Sequence, residues 1–169
     1  MHTNQTKILA IDPGTRELGV AVLSNAELLY YGVKTIRSRS SASEILNQVR
    51  QTISGLIADY KPQCLAIEKM FLIQKSAALL IVAADEIKRL AKAEGLSIYE
   101  YAPTVVRKII CQSGRATKKE TAKKVAAQYP ELHRYLERTS KWETLYYANM
   151  FDAVAVGLCC YQQIIDAVS

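Results

Sequence analysis

The segment Ile8-Leu9-Ala10-Ile11-Asp12-Pro13-Gly14 joins a short apolar run, a carboxylate and a turn signal. An apolar run bounded by Pro-Gly is typical of a buried strand that ends at the edge of a sheet. A second apolar run, at 18–23, is predicted to return as the antiparallel partner in a hairpin. Asp12 would then lie at the end of a rigid strand and face solvent, where its carboxylate can bind a cation or contribute to a phosphate-binding site.

Apolar periodicity along the rest of the chain predicts an α/β fold with a mixed five-stranded sheet flanked by helices. Runs rich in apolar residues mark three further strands, at 27–36, Cys64–Glu68 and Ser97–Tyr101. Helical spacing of apolar residues marks helices at 43–60, 76–94, Pro103–Cys111, 117–129 and about 144–165. The helix between the last two strands predicts a right-handed βαβ unit with parallel strands.

Composition predicts one globular domain, residues 1–169. Half of the residues are hydrophobic and the formal net charge is +6, so nucleic acid is favoured as a partner over an acidic protein. The four cysteines lack a C-x-x-C spacing, which predicts buried, reduced thiols. The polar N-terminus and the lack of a sufficiently long apolar stretch predict a cytoplasmic protein with no membrane contact.

The segment Cys64–Glu68 repeats the pattern of the first strand, because a short apolar run again ends in a carboxylate. The carboxyl ends of parallel strands meet at the edge where ligands usually bind, so Asp12 and Glu68 are expected side by side. The alternative is that Glu68 only pairs with a lysine such as Lys69. Phe71 is either a core residue or an exposed stacking platform beside the acids.

Asp152 lies within the apolar segment 150–156 of the last helix, and Asn149 precedes it by one turn on the same face. A carboxylate is costly to bury without a partner. A metal ion or a cationic side chain would remove that cost. A metal site and a structural salt bridge are therefore the two alternatives for Asp152.

A basic cluster surrounds the Gly turn between the helices predicted at 103–111 and 117–129. It contains Arg107, Lys108, Arg115, Lys118 and Lys119. Such a cluster is either a solvated face or a contact surface for a phosphate backbone, and its position after the fifth strand places it near the acids.

The helix predicted at 76–94 is apolar over more than one stripe. Besides its core face it carries Leu79, Val82 and Ala83. A second stripe is typical of a helix that is buried on two sides or forms a subunit interface. We expect a homodimer that uses this stripe.

An Asp-x-Gly signal after a strand is shared by two groups of proteins with a ribonuclease H-like sheet, namely polynucleotide nucleases and actin-like or sugar kinases. The full set of motifs resembles the RuvC family of Holliday junction resolvases over about residues 7–165. The motifs, in order, are Ile11-Asp12-Pro13-Gly14, Ile67-Glu68 with Phe71, Tyr101-Ala102-Pro103, Lys118 after a Gly turn, and Asn149-x-x-Asp152-Ala153.

This resemblance implies a single RuvC-like nuclease domain with a ribonuclease H-like fold that nicks four-way DNA junctions in recombination and repair. It implies Mg²⁺ as the cofactor, with Mn²⁺ as a substitute, and hydrolysis that uses two metal ions. It also implies a homodimer and a branch-migration helicase as a partner.

The resemblance also assigns roles to individual residues. The implied metal ligands are Asp12, Glu68, Asn149 and Asp152. The implied catalytic set adds Lys118 and Arg107, which would neutralise the phosphate. The predicted DNA-binding residues are Phe71, Arg115, Lys119 and Lys108. Asn149 departs from the family pattern, since many members have an Asp there, and Arg107 stands where a Lys is common.

Two other functions stay open. One is a catalytically weakened relative that binds branched nucleic acid, because the amide of Asn149 brings no negative charge to a metal site. The other, less favoured, is an ATP-binding protein of the actin-like or sugar-kinase type. That class needs a second, duplicated domain, for which 169 residues are too few.

Overall fold

The computed structural model describes residues 5–36, 41–71, 78–137 and 140–168. Its strands are β1 Lys7–Asp12, β2 Glu17–Ser24, β3 Glu27–Thr35, β4 Cys64–Glu68 and β5 Ser97–Tyr101. They form one sheet in the order β3-β2-β1-β4-β5. β1 is antiparallel to β2 and parallel to β4, and β4 is parallel to β5. The predicted mixed five-stranded sheet is therefore confirmed.

The helices are α1 Ala42–Tyr60, α2 Ala78–Ala93, α3 Pro103–Cys111, α4 Lys118–Gln128 and α5 Lys141–Val168, with a 3₁₀ helix at Pro130–Tyr135. Ser41 and Glu44 form a capping box that begins α1, and Lys61 in the left-handed conformation ends it. Thr117 and Glu120 form the same type of capping box at α4.

The predicted boundaries of α5 were too narrow. The helix begins at Lys141 rather than near Thr144, because the Ser140 hydroxyl accepts a hydrogen bond from the Glu143 backbone N–H at 3.1 Å and caps the helix earlier. It also continues beyond residue 165, where the Gln162 amide donates to the Asp166 carboxylate at 3.0 Å across the last turns. The predicted start of α2 at residue 76 lies outside the described residues.

Helices cover both faces of the sheet, and the alternation of side chains along each strand decides which residues meet them. β1 directs Leu9 toward α1 and α2 and Ala10 toward α5. Asp12 follows Ala10 by two residues, and Glu68 follows Ala66 of β4 by two residues. Both carboxylates therefore lie on the face that α5 covers.

Two glycines allow α5 to lie close against the sheet. A Cβ at Gly19 in β2 would overlap the backbone carbonyl oxygen of Asn149 and lie 3.1 Å from the Cβ of Asp12. A Cβ at Gly157 would overlap a side chain of β2. These close contacts set the separation between α5 and the first two strands, and with it the position of Asp152 relative to Asp12.

The second apolar stripe predicted on α2 is only partly a surface. Ala83 is fully buried, and Leu79 packs against the core beneath α1 and α2, whereas Val82 is 48% exposed. A broad arc of α2 is covered because the helix contacts both α1 and β5. Of the three residues, Val82 is the one that remains available to a partner.

The sequence predicted no membrane span and four buried, reduced cysteines. Among the described helices, none combines the length and the apolar composition that a membrane span requires. The four cysteines are free thiols, and Cys64, Cys159 and Cys160 are buried while Cys111 is partly exposed. The cysteine prediction thus holds for three of the four.

Candidate active site

Three carboxylates converge where β1 and β4 end. Asp12 and Glu68 are the last residues of these two adjacent parallel strands, and Asp152 approaches from α5 on the same face of the sheet. Asp12 is buried, Glu68 is half-buried, and the side chain of Asp152 is 12% exposed. The structure thus brings together the three predicted acids.

The protonation behaviour of these groups reflects their proximity. Burial raises the pKa of Asp12 well above its usual value, and the negative charges of Asp152 and Glu68 raise it further. The pKa of Glu68 is raised by burial and by Asp152, against the opposing effect of Lys118 and Arg107. A cation held among the acids would relieve both the cost of burial and the mutual repulsion.

Lys118, at the start of α4, provides one cation to this acid cluster of Asp12, Glu68 and Asp152. Its Nζ donates a hydrogen bond to Oδ2 of Asp152 at 2.6 Å, while 60% of its side chain stays exposed. Burial lowers the pKa of Lys118, but the charges of Asp152, Asp12 and Glu68 outweigh that effect and raise it. The salt bridge considered for Asp152 is therefore present, and it lies inside the acid cluster.

The donor chemistry of the acid cluster fits a hard divalent cation, which prefers carboxylate oxygens. Within the described ranges, no three His, Cys, Asp or Glu side chains already surround one point as a coordination shell would. Asp152 instead holds Lys118. Asp12, Glu68 and Asp152 could hold a metal once the side chains rotate and Lys118 gives up its contact.

Asn149 has a partner that no sequence motif singles out. Its Nδ2 donates a hydrogen bond to Oε2 of Glu17, the first residue of β2, at 3.1 Å. The contact joins residues 132 positions apart. Strand alternation is the feature of the sequence that could have identified Glu17. Glu17 lies two residues before Gly19, so its side chain faces α5.

Arg107 lies in the same small cleft as Glu68, Lys118 and Asp152. Its charge lowers the pKa of Glu68, although less than Lys118 does. The cleft therefore contains two cationic side chains next to the acids. This arrangement is suited to a phosphate group that crosses a cation site.

Phe71 is exposed over 51% of its surface, so it is not a core residue. The ammonium group of Lys69 lies 5.7 Å from the centroid of its ring, which places Lys69 with Phe71 rather than with Glu68. The segment that follows, residues 72–77, lies outside the described residues. The exposed position favours the alternative in which Phe71 is a stacking platform.

The remaining basic residues lie around the acid cleft rather than in it. Arg115 lines a separate cleft with Lys123 and Lys124 of α4. Lys108 in α3 and Lys119 in α4 are exposed. Lys108 follows Arg107 in α3 and Lys119 follows Lys118 in α4, so further basic residues flank the acid cleft on both helices.

An aromatic pair at the start of α5 has no counterpart among the predicted site residues. The exposed ring of Trp142 stacks on Tyr146, with ring centroids 5.1 Å apart and planes inclined by 24°. The hydroxyl of Tyr146 lies 3.4 Å from the Thr35 hydroxyl at the end of β3. The signal in the sequence is the chain's single tryptophan within a polar segment.

The sequence model of one protein family, described as crossover junction endodeoxyribonuclease RuvC, matches residues 8–160. The chain belongs to the RuvC family. A RuvC relative from Natranaerobius thermophilus is 32% identical over 158 residues, which cover 90% of this chain and 92% of the relative. A RuvC from Akkermansia muciniphila is 35% identical over 158 residues, with coverage of 90% and 88%.

Solved structures show the same fold. RuvC of Thermus thermophilus, in a complex with a Holliday junction substrate, superposes with a TM-score of 0.75 at 21% identity and covers 95% of this chain and 96% of that one. This chain therefore has the ribonuclease H-like fold of RuvC, as the motifs predicted. RuvC-family nucleases depend in general on a divalent metal, which agrees with the donor chemistry of the acid cluster.

Proposed function

We propose that this RuvC-family protein is a structure-specific endonuclease that resolves four-way DNA junctions by Mg²⁺-dependent phosphodiester hydrolysis. The observation that carries the proposal is the convergence of Asp12, Glu68 and Asp152 with Lys118 at one edge of the sheet. The named relatives are crossover junction endodeoxyribonucleases, and the T. thermophilus RuvC was solved with a Holliday junction. Both facts support branched DNA as the substrate.

Asp12, Glu68 and Asp152 would hold the divalent cations, with Asn149 as a neutral oxygen donor. When bound, such cations supply an activated water and stabilise the leaving oxygen. The contribution of the protein is to hold three carboxylates together against their repulsion. β1, β4 and α5 do this with backbone contacts that do not depend on the ligand.

Lys118 and Arg107 would neutralise the scissile phosphate. Nζ of Lys118 donates a hydrogen bond to Asp152. If Asp152 held a cation, the largely exposed side chain of Lys118 could turn from Asp152 to a phosphate in the same cleft. Lys118 would then place its positive charge beside the phosphate, while the cation neutralises Asp152.

The DNA contacts would extend from this cleft in two directions. Phe71 is exposed enough to stack on an unpaired base at the junction centre. Arg115, Lys108 and Lys119 would contact phosphates along α3 and α4, and such contacts position DNA without reading its sequence.

The decisive experiment incubates the protein with a labelled four-way junction and with a linear duplex of the same sequence. We expect nicks in the junction with Mg²⁺, none in the duplex, and none in either DNA with EDTA. Asp59→Asn removes an exposed carboxylate from α1. It is the matched control for Asp12→Asn and should cut like the wild type. Equal cutting of the duplex would contradict junction specificity.

A homodimer is part of the proposal, since two symmetric nicks require two equivalent sites. Val82 on α2 is the exposed apolar residue that supports it. Leu79 is unsuitable for a test because it packs against the core. We expect Val82→Glu to give a folded monomer in light scattering and Ile165→Glu, an exposed apolar position on α5, to stay dimeric. A wild-type protein that is monomeric with and without a junction would contradict the dimer.

The two other functions are less well supported. A binding-only relative would bind the junction in the experiment above without cutting it, but the three acids that cleavage needs are all in place. A kinase-like function has no support from the family assignment. A branch-migration helicase as partner and a cytoplasmic location stay predictions.

A further inference from the structure

Glu17 and Asn149 form a contact between the start of β2 and α5. The Nδ2 group of Asn149 donates to Oε2 of Glu17 at 3.1 Å, and both side chains are half-buried. Glu17 lies two residues before Gly19, whose Cα lies against the Asn149 carbonyl group. The two backbones are therefore in contact next to this hydrogen bond, which restricts how far the side chains can separate.

The chemistry of the pair determines which way the amide of Asn149 faces. An ionised carboxylate accepts hydrogen bonds and donates none, so the group that faces Glu17 must be the NH₂ group. The oxygen of a carboxamide lies on the opposite side of the same carbon. Oδ1 of Asn149 is therefore turned away from Glu17.

The acid cluster lies on the same face of the sheet as Glu17, on the neighbouring strands β1 and β4 and on α5. Glu17 is on β2, whereas Asp12 and Glu68 are on β1 and β4, further across the sheet. Asp152 follows Asn149 by one turn of α5. Without the contact to Glu17, the NH₂ group could itself hydrogen-bond to an acid and place donor hydrogens where a cation would bind.

We propose that Glu17 is a positioning residue that holds the amide of Asn149 with Oδ1 facing the acid cluster. Asn149 thereby becomes an oxygen donor despite its lack of charge. This inference rests on the proposed function of the acid cluster as a metal site. It assigns to Glu17 a role in metal affinity without direct contact with the metal.

The test compares Glu17→Ala with Glu17→Gln, using Mn²⁺ binding to the full-length protein without DNA, measured by calorimetry or by electron paramagnetic resonance. Glu17→Ala removes the acceptor and should weaken Mn²⁺ binding about tenfold, a usual effect of losing a hydrogen-bond partner of a metal ligand. Glu17→Gln keeps an acceptor oxygen and should restore most of that loss. Glu27→Gln, at the opposite end of β2 and β3, is the control and should bind like the wild type.

Two results would overturn the proposal. Mn²⁺ binding by Glu17→Ala equal to that of the wild type would mean that the contact does not orient Asn149. Binding by Glu17→Gln as weak as that by Glu17→Ala would mean that the charge of Glu17, and not its hydrogen bond, is what matters. A wild-type protein that binds no Mn²⁺ would instead contradict the proposed function.

A second measurement detects the pair itself without metal. The side-chain NH₂ resonances of Asn149 in a ¹⁵N-correlated NMR spectrum should shift and exchange faster with solvent in Glu17→Ala but less so in Glu17→Gln. Asn149→Asp should lower the metal-free Tm more when residue 17 is Glu than when it is Gln, since two carboxylates would then face each other. Additive Tm changes, together with an unchanged NH₂ resonance, would contradict the contact.

Discussion

Two carboxylate sites on opposite sides of the sheet differ in how their charge is balanced. Glu86 in α2 accepts hydrogen bonds from Arg89 at 2.8 Å and from Nε of Arg50 in α1 at 2.6 Å. These hydrogen bonds lower the pKa of Glu86 to about 2. In the acid cluster, where 12% of the Asp152 side chain is exposed, the pKa values of Asp12 and Glu68 are instead raised.

Burial is the largest cause of the raised pKa of Asp12 and Glu68, whereas hydrogen bonds from two arginines are the largest cause of the lowered pKa of Glu86. Two arginines serve the single carboxylate of Glu86, whereas the hydrogen bond of Lys118 goes to one acid of three. The Glu86 group is complete without a ligand and the acid cluster is not. Uncompensated charge in a cleft is a feature of functional sites, because an external cation or substrate supplies what the fold leaves out.

Asp12→Asn breaks the acid cluster and should have the largest effect. Junction cleavage should fall by about a thousandfold or more, because a ligand for the cation is lost. The metal-free Tm should rise by about 2–4 °C. The Tm should rise because the raised pKa of Asp12 means that its ionised form destabilises the folded state. The uncharged amide of Asn removes that cost. Single-turnover cleavage and calorimetry in EDTA measure both effects, and a lower Tm would contradict this account.

Lys118→Met removes the internal cation and should have the next largest effect. We expect about a hundredfold slower cleavage and a lower metal-free Tm, because Asp152 loses its 2.6 Å partner. Added Mg²⁺ should restore part of the Tm. Lys119→Met, its exposed neighbour, is the control. An unchanged Tm in EDTA would mean that the ion pair contributes nothing to the resting protein.

Glu86→Gln tests the balanced site and should change stability while leaving catalysis within about twofold of the wild type. The folded pKa of about 2 lies below the unfolded value of roughly 4.3. Glu86 therefore stabilises the fold above about pH 4.3, and this stabilisation is lost as the pH falls toward 2. The Tm of Glu86→Gln should be lower than that of the wild type at pH 7, and the gap should narrow at pH 3. A gap that does not change with pH would exclude the ionic explanation.

Arg115→Ala should have the smallest effect. Arg115 lies in a basic cleft away from the acids, so its loss should weaken junction binding similarly for different sequences. The slope of log affinity against log salt should fall by about one. Filter binding between low and moderate salt in Ca²⁺ measures the slope. An unchanged slope would indicate a solvated face without DNA contact.

Local sequence signals predicted the parts of this molecule that depend on local geometry. The run before Asp12 and the run before Glu68 predicted two strands with correct ends, and their parallel pairing brought the acids together as expected. Pro103 and Cys111 marked both ends of α3. Period-two and period-3.6 patterns carry this information because each element must bury one face.

The contacts that complete the site join distant residues, and no local pattern encodes them. Lys118 reaches Asp152 across 34 positions, and Glu17 reaches Asn149 across 132. Both depend on where α4 and α5 dock on the sheet. The burial of Ala83 was missed for the same reason, because periodicity shows which residues share a stripe but not how wide an arc the neighbours cover.

Gly19 has a consequence for how the site tolerates change. Since the backbones of β2 and α5 already touch there, the gap between the strand and the helix is at its minimum and is set by main-chain atoms. Further along α5, the contact of Gly157 is with the side chain of Leu23, which can repack when the sequence changes. The distance between the acids near residue 19 therefore depends less on such side chains than on the backbone. Conversely, a single methyl group at residue 19 would push the helix off the sheet and separate the acids without altering any charge.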